Sequence, residues 1–159
     1  MQNPLFVFGT LMDDEVLAAV SGMSLSDLQL NPAVATGFMR RLVLGESFPV
    51  LVPTADEKVS GLLIEGLSQE ALDRCSFFEG DEYRLQDLQV ERLPDSHSHL
   101  ISGVVDAVYF ADTDIYELDA KDWSIERWRI DDKPDFIPRL NHYMSFFGKL
   151  STTEADKHW

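Results

Sequence analysis

AVATGFMRRLVLGESFPVLVPTADEKVSGLLIE, residues 33–65, is where strand follows strand. Ala33–Phe38, Arg41–Leu44 and Val50–Val52 are β-prone and separated by glycine or proline. Val59–Glu65 is a further such segment, preceded by the polar turn Thr54–Lys58. Toward the N-terminus, Leu5-Phe6-Val7-Phe8 is a short β-prone run ended by Gly9 and reads as a buried first strand. Thr10-Leu11-Met12-Asp13 fits a capping box, a hydroxyl followed three residues later by an acid. It predicts a helix through Val16, Leu17 and Val20, closed by Gly22.

On the C-terminal side, Ser68 is placed as an N-cap with Leu67 and Leu72 as a hydrophobic staple. The short helix it starts is expected to end near Arg74 and to deliver the chain into Phe77-Phe78-Glu79-Gly80. Tyr83–Leu93 and Ile101–Phe110 read as long strands joined by the polar loop Pro94–His99. Beyond Asp112, the spacing of Trp123, Trp128, Ile137, Leu140, Tyr143 and Phe147 suggests helices packed on a sheet. Many strands with few, late helices do not make a βαβα pattern. The class expected is α+β, an antiparallel sheet or small barrel with helices around it.

With 159 residues and no repeat or dividing linker, a single domain over residues 1–150 and a loose tail over 151–159 are expected. A formal charge of −15 argues against nucleic acid and against anionic membrane surfaces, which both require clustered Lys and Arg. One cysteine, Cys75, forms neither an internal disulfide nor a thiolate zinc site, and it reads as a small core residue. Met1–Pro4 lacks a basic n-region, Leu5–Phe8 is too short for a secretory segment, and no apolar run nears the ~18 residues of a spanning helix. A cytoplasmic, reducing-compartment protein is the expectation.

Two constellations could carry chemistry. Phe8-Gly9-Thr10-Leu11-Met12-Asp13 joins a strand end to a helix start, where backbone N–H groups are unpaired and Gly9 admits a ligand to the main chain. Such a turn can hold a carboxylate without a basic side chain. In Phe77-Phe78-Glu79-Gly80-Asp81-Glu82-Tyr83, two aromatics would desolvate Glu79 while Asp81 and Glu82 repel its charge. A carboxyl tuned upward can take and return a proton near neutral pH. Read alone, each is equally an ordinary turn or a surface acid. His97-Ser98-His99 as a metal site and Cys75 with His142 as nucleophile and base have no supporting signature. No hydrolase elbow, phosphate loop or dinucleotide fingerprint is present.

The ordered set resembles the gamma-glutamylcyclotransferase-like family, in the branch of avirulence-induced proteins and gamma-glutamylamine cyclotransferase. Leu5-Phe6-Val7-Phe8-Gly9-Thr10-Leu11-Met12 is similar to its N-terminal tyrosine-glycine-serine/threonine-leucine signature. Phe48-Pro49-Val50-Leu51 and Val59-Ser60-Gly61-Leu62-Leu63 resemble its proline-containing and V-x-G strands. Leu72-Asp73, Phe78-Glu79-Gly80 and Tyr83-Arg84 resemble the block around its catalytic glutamate. The best-matching core covers residues 4–110, with a helical extension over 120–148.

The resemblance implies a small mixed, mainly antiparallel β-barrel flanked by helices. It implies acyltransferase-type cyclisation of a gamma-glutamyl amine or peptide to 5-oxoproline, with release of the amine and no cofactor or metal. Glu79 would be the general acid/base, Phe8, Gly9, Thr10 and Leu11 the substrate-binding turn, and Tyr83 a residue near the pocket. The family turn usually begins with tyrosine, so Phe8 removes any hydroxyl contact there. The expected partner is a small gamma-glutamyl molecule. The aromatic segment from Trp123 to Phe147 is open to three readings: pocket closure, a homodimer surface, or core packing. Two rival functions also stay open, a small-carboxylate binding protein and an amide hydrolase in which Glu79 activates water.

Overall fold

The computed structural model describes residues 3–94 and 103–159. The chain folds as β1 (Leu5–Val7), α1 (Asp14–Ser21), β2 (Gln29–Leu42), β3 (Pro49–Glu65), α2 (Gln69–Glu79), β4 (Tyr83–Arg92) and β5 (Gly103–Asp112), followed by α3 (Ile125–Asp131), α4 (Lys133–Met144) and α5 (Thr152–Asp156). The strands close into a barrel in the order β1-β3-β2-β4-β5. All neighbours are antiparallel except β1 and β5, which meet in parallel at Leu5 and Val108. No helix among the described residues is long and apolar enough to cross a membrane.

Side chains alternate along a strand, and here they divide the hydrophobic residues into two cores. Phe6 and Phe8, with Ala33, Ala35, Val59, Leu63, Val90, Ala107 and Tyr109, fill the barrel. Leu5 and Val7 face the other way and pack under the helices with Leu17, Leu72, Cys75, Trp128 and Leu140. Because β1 is buried on both faces, it reads as an unbroken apolar run. Alanines inside the barrel make room for the aromatic rings, and Gly61 does so most directly: a Cβ there would lie 2.8 Å from the Phe6 ring.

Four expectations are corrected. The segments of residues 33–65 are two long strands, not four short ones. Gly37, at φ 91°, is absorbed as an irregularity in β2, and opposite it the 54–57 stretch loops out between the Thr36–Lys58 and Phe38–Pro53 pairs. The predicted capping box gives way to a 3-10 turn, Thr10–Met12, after which Asp13 caps α1 by accepting from the Glu15 and Val16 N–H groups. Gly22 closes α1 in the left-handed conformation, as expected. The α2 helix starts at Ser68 as predicted but continues five residues past Arg74, because Leu72, Cys75 and Phe77 continue a buried stripe. The C-terminal residues, expected to be loose, form α5 with Ser151 as cap and Ala155 fully buried. Ile101 and His97-Ser98-His99 lie outside the described residues.

Candidate functional site

A cavity of about 450 Å³ opens where the N-terminal turn, the end of α2 and the C-terminal helices converge. All six residues singled out from sequence line it: Glu79, Phe8, Gly9, Thr10, Leu11 and Tyr83. Chain segments far apart in sequence build its remaining walls. Ser47, Phe48 and Pro49 form one side, Tyr116 another, and Phe136, Tyr143, Asp156 and Trp159 arrive from α4, α5 and the chain end.

Glu79 reaches the cavity because α2 extends to it. Gly80 then reverses the chain at φ 93° while its N–H still bonds to the Ser76 carbonyl at 3.0 Å. Removal from water raises the Glu79 carboxyl from its ordinary value to about 8. Its place at the C-terminal, negative end of a helix acts in the same direction. Repulsion from Asp81 and Glu82, expected from sequence, is not the cause. Those two carboxylates instead influence Asp156, and Asp81 accepts a hydrogen bond from Thr153 Oγ1 at 3.1 Å.

The N-terminal turn is held from behind. Arg40 Nη1 donates to the Phe8 carbonyl at 3.1 Å, and Arg40 Nε donates to Asp122 Oδ1 at 3.0 Å. The same guanidinium lies 5.6 Å from the Trp123 ring centre. Trp123 in turn donates from its indole N–H to the Ser47 carbonyl at 2.8 Å, fixing the wall opposite. Within the turn, Met12 and Asp13 N–H groups bond back to Gly9 and Thr10 carbonyls. A 3-10 turn of this kind leaves its first N–H groups, those of Thr10 and Leu11, without an intrahelical partner.

Aromatic rings rim the cavity. Tyr83 and Tyr116 lie 6.3 Å apart, and Phe48 meets Tyr116 edge-on at 5.5 Å. Burial raises the Tyr83 phenol, with Glu79 adding to the shift, so Tyr83 stays a neutral hydrogen-bonding group. Tyr143 donates to the Phe77 carbonyl at 2.6 Å, and Trp159 stacks edge-on against both Phe136 and Tyr143. Sequence reading missed Tyr116, Asp156 and Trp159, since nothing in a single chain marks a distant loop or terminus as a wall. The aromatic segment combines two of its readings: Trp128 and Leu140 are core, while Phe136 and Tyr143 face the cavity.

Cys75 is fully buried and its thiol is pushed up to about 12 by burial and by Glu79, so it does not supply a thiolate to His142. Among the described residues, no group of three His, Cys, Asp or Glu side chains could hold a metal.

The sequence model described as gamma-glutamyl cyclotransferase, AIG2-like, matches residues 5–129. The chain belongs to that family. It is 28% identical over 140 residues to the AIG2-like protein C of Arabidopsis thaliana, covering 88% of this chain and 77% of that one. A solution structure of an Arabidopsis thaliana protein superposes with a TM-score of 0.62 at 23% identity, over 94% of this chain and 85% of that one. A yeast gamma-glutamyl cyclotransferase specific to glutathione superposes at 0.54 and 12% identity, over 99% of this chain and 87% of that one. The fold is thus that of the gamma-glutamyl cyclotransferases.

Proposed function

We propose that the protein cyclises a gamma-glutamyl amide to 5-oxoproline and releases the amine, with Glu79 as the proton carrier. The observation that carries this reading is the Glu79 carboxyl itself, raised to about 8 by burial and lining the cavity also lined by the turn Phe8–Leu11. The substrate's own α-amine attacks its side-chain carbonyl, closing a five-membered ring. Intramolecular attack in a fixed geometry can reach effective molarities of ~10⁵–10⁸ M, so the protein supplies no nucleophile.

The Thr10 and Leu11 N–H groups are suited to bind an anionic oxygen, whether the α-carboxylate or the developing oxyanion. Glu79 in its carboxylate form accepts the proton of the attacking amine and hands it to the departing nitrogen. A peptide α-amino group titrates at ~8, and the substrate's α-amine, beside its own free carboxylate, somewhat higher, so a carboxyl raised to about 8 takes its proton with far less uphill work than an ordinary carboxyl would. A protein that only bound a small carboxylate would gain nothing from a buried acid in the same cavity.

The test is release of 5-oxoproline from gamma-glutamyl amino acids, gamma-glutamyl-ε-lysine and glutathione, wild type beside Glu79→Gln. Product from wild type and a loss of ~10²–10⁴-fold in the variant support the reading. Glutamate in place of 5-oxoproline would make the protein a hydrolase.

A further inference from the structure

Glu79 ends α2, Tyr83 starts β4, and both line the cavity, close enough for the Glu79 charge to add to the rise of the Tyr83 phenol. Even so, Glu79 accepts no hydrogen bond from the described residues, and burial alone accounts for its raised carboxyl. The Tyr83 hydroxyl is engaged elsewhere. It lies within hydrogen-bonding reach of the Tyr116 hydroxyl, with the two rings 6.3 Å apart and tilted by 40°. That contact works to raise the Tyr83 phenol and to lower the Tyr116 phenol, which makes Tyr83 the donor and Tyr116 the acceptor. Tyr116 is set in place by its segment. Residues 113–124 run from β5 to α3 with neither helix nor strand of their own, yet they are clasped by the end of β2. The Leu44 N–H donates to the Glu117 carbonyl and the Asp119 N–H to the Leu42 carbonyl, both at 2.8 Å, and Arg41 Nη2 donates to the Asp119 carbonyl at 2.9 Å. Phe48, from the loop before β3, braces the Tyr116 ring edge-on.

Resting on the reading of Glu79 as the proton carrier, we infer that Tyr116 is a positioning residue: it takes the one hydrogen of the Tyr83 hydroxyl and so withholds it from Glu79, which keeps the carboxyl bare in the cavity and free for the substrate's proton. A phenol has a single hydrogen to give. Donated to a carboxylate, it would favour the charged form, and Glu79 would become a weaker base toward an α-amine. With that hydrogen held by Tyr116, the Tyr83 lone pairs are what remain for Glu79, and they suit a carboxyl that carries its proton. The other groups around Glu79 do not take over the role. Cys75, one turn earlier on α2, is a buried thiol that stays protonated. Tyr143 on α4 gives its hydrogen to the Phe77 carbonyl. Asp156 on α5 and Glu46 before β3 bring carboxylates, and the Phe8–Leu11 turn brings no charged side chain. No lysine, arginine or histidine is among the cavity's described lining residues. On the far side of the tyrosine pair, Asp112 and Glu82 act on Tyr116 and hold it neutral.

The test follows the carboxyl carbons of isotope-labelled glutamates by NMR across pH, with the Glu79 signal identified by its loss in Glu79→Gln. Tyr116→Phe keeps the ring and its packing on Phe48 but removes the acceptor, so the Tyr83 hydrogen is released to Glu79. The Glu79 titration should then bend about one pH unit lower than in wild type, as one donated hydrogen bond allows. The acid limb of kcat/KM for 5-oxoproline release should move with it. Because Tyr116 acts through the Tyr83 hydrogen, adding Tyr116→Phe to Tyr83→Phe should leave the titration where Tyr83→Phe alone has it. A Tyr116→Phe protein that titrates with wild type or above it would overturn the inference, and so would a shift that persists in the Tyr83→Phe background. The titration is independent of turnover. The expected separation with no 5-oxoproline from wild type would keep Tyr116 as the residue that withholds the hydrogen and overturn cyclisation. Coincident titrations with 5-oxoproline from wild type would leave cyclisation standing and overturn the role of Tyr116.

Discussion

Arg40, near the C-terminal end of β2, donates from Nη1 to the carbonyl oxygen of Phe8, the residue that opens the cavity-lining turn. A guanidinium that is 16% exposed, oriented by Asp122 and backed by Trp123, thereby sets the orientation of the peptide unit entering Gly9. Arg40 is a positioning residue, since it does not line the cavity.

For Arg40→Met, the Phe8 carbonyl loses a charge-assisted hydrogen bond, an interaction of about 1.5–3 kcal/mol. The expected outcome is a KM raised roughly tenfold with a smaller change in kcat. Arg40→Lys should recover only part of it, because an ammonium cannot bridge Asp122 and Phe8 as a planar fork does. Steady-state kinetics on any turned-over gamma-glutamyl amide checks this, and wild-type KM in both variants would remove the assigned role.

Glu79 predicts a pH profile. The carboxylate is the form that accepts the proton, and it prevails only above about pH 8. Below that, kcat/KM should fall by about tenfold per pH unit. Measurement from about pH 4 to 9 shows whether the limb bends near 8. A limb bending between 4 and 5 would mean that Glu79 is solvated.

The same carboxyl should destabilise the fold. In the unfolded chain Glu79 ionises near 4.5, whereas in the native state it holds its proton to about 8. Between those values the native state binds more protons than the unfolded one, so stability falls as pH rises. The loss is at most a few kcal/mol, roughly 1.4 per unit of separation. Urea denaturation at pH 5 and pH 8.5 should show wild type losing ground to Glu79→Gln at the higher pH.

Asp13 carries the opposite sign. Burial works to raise its pKa, but Arg129, Lys133 and the Val16 N–H together hold it below the ordinary value of 3.8. Its contribution is complete above about pH 4 and is lost as the medium is acidified through its native pKa. Asp13→Ala removes the α1 cap and the tie to α3 and α4, and should lower stability by about 1–3 kcal/mol at pH 7. That difference should narrow as the pH falls through the lowered native pKa of Asp13.

Gly61→Ala tests the packing of the barrel. The added methyl would collide with the Val7 carbonyl oxygen and press on the Phe6 ring, and β1 has no room to retreat from the helices. A loss of about 1–3 kcal/mol is expected. Thermal melting at neutral pH gives the answer, and an unchanged midpoint would contradict this packing.

Local signals carried a large part of the architecture. Strand propensity between residues 33 and 65, the run Leu5–Phe8, the Ser68 cap and Gly22 each act over a few residues, so each can be read without knowing the fold. Glu79 and the Phe8–Leu11 turn stood out as candidates because a carboxyl after two aromatics and a glycine at a strand end are short-range patterns, but only the ordered resemblance across residues 4–110 set them above a surface acid and an ordinary turn. What failed was whatever depends on a partner distant in sequence. The α2 helix outran its predicted end because Cys75 and Phe77 are buried by α1, α4 and the aromatic residues of the C-terminal segment. Asp13 replaced Thr10 as the cap because Arg129 and Lys133, more than a hundred residues away, stabilise its buried charge. Residues 152–156 look polar and unremarkable, yet burial of Ala155 and the stacking of Trp159 on Phe136 and Tyr143 turn them into a wall of the cavity. Barrel closure is of the same kind. Only when β1 enters between β3 and β5 do Glu79, Gly9 and Asp156 come to share one cavity, because hydrophobic burial draws together segments with no local reason to meet.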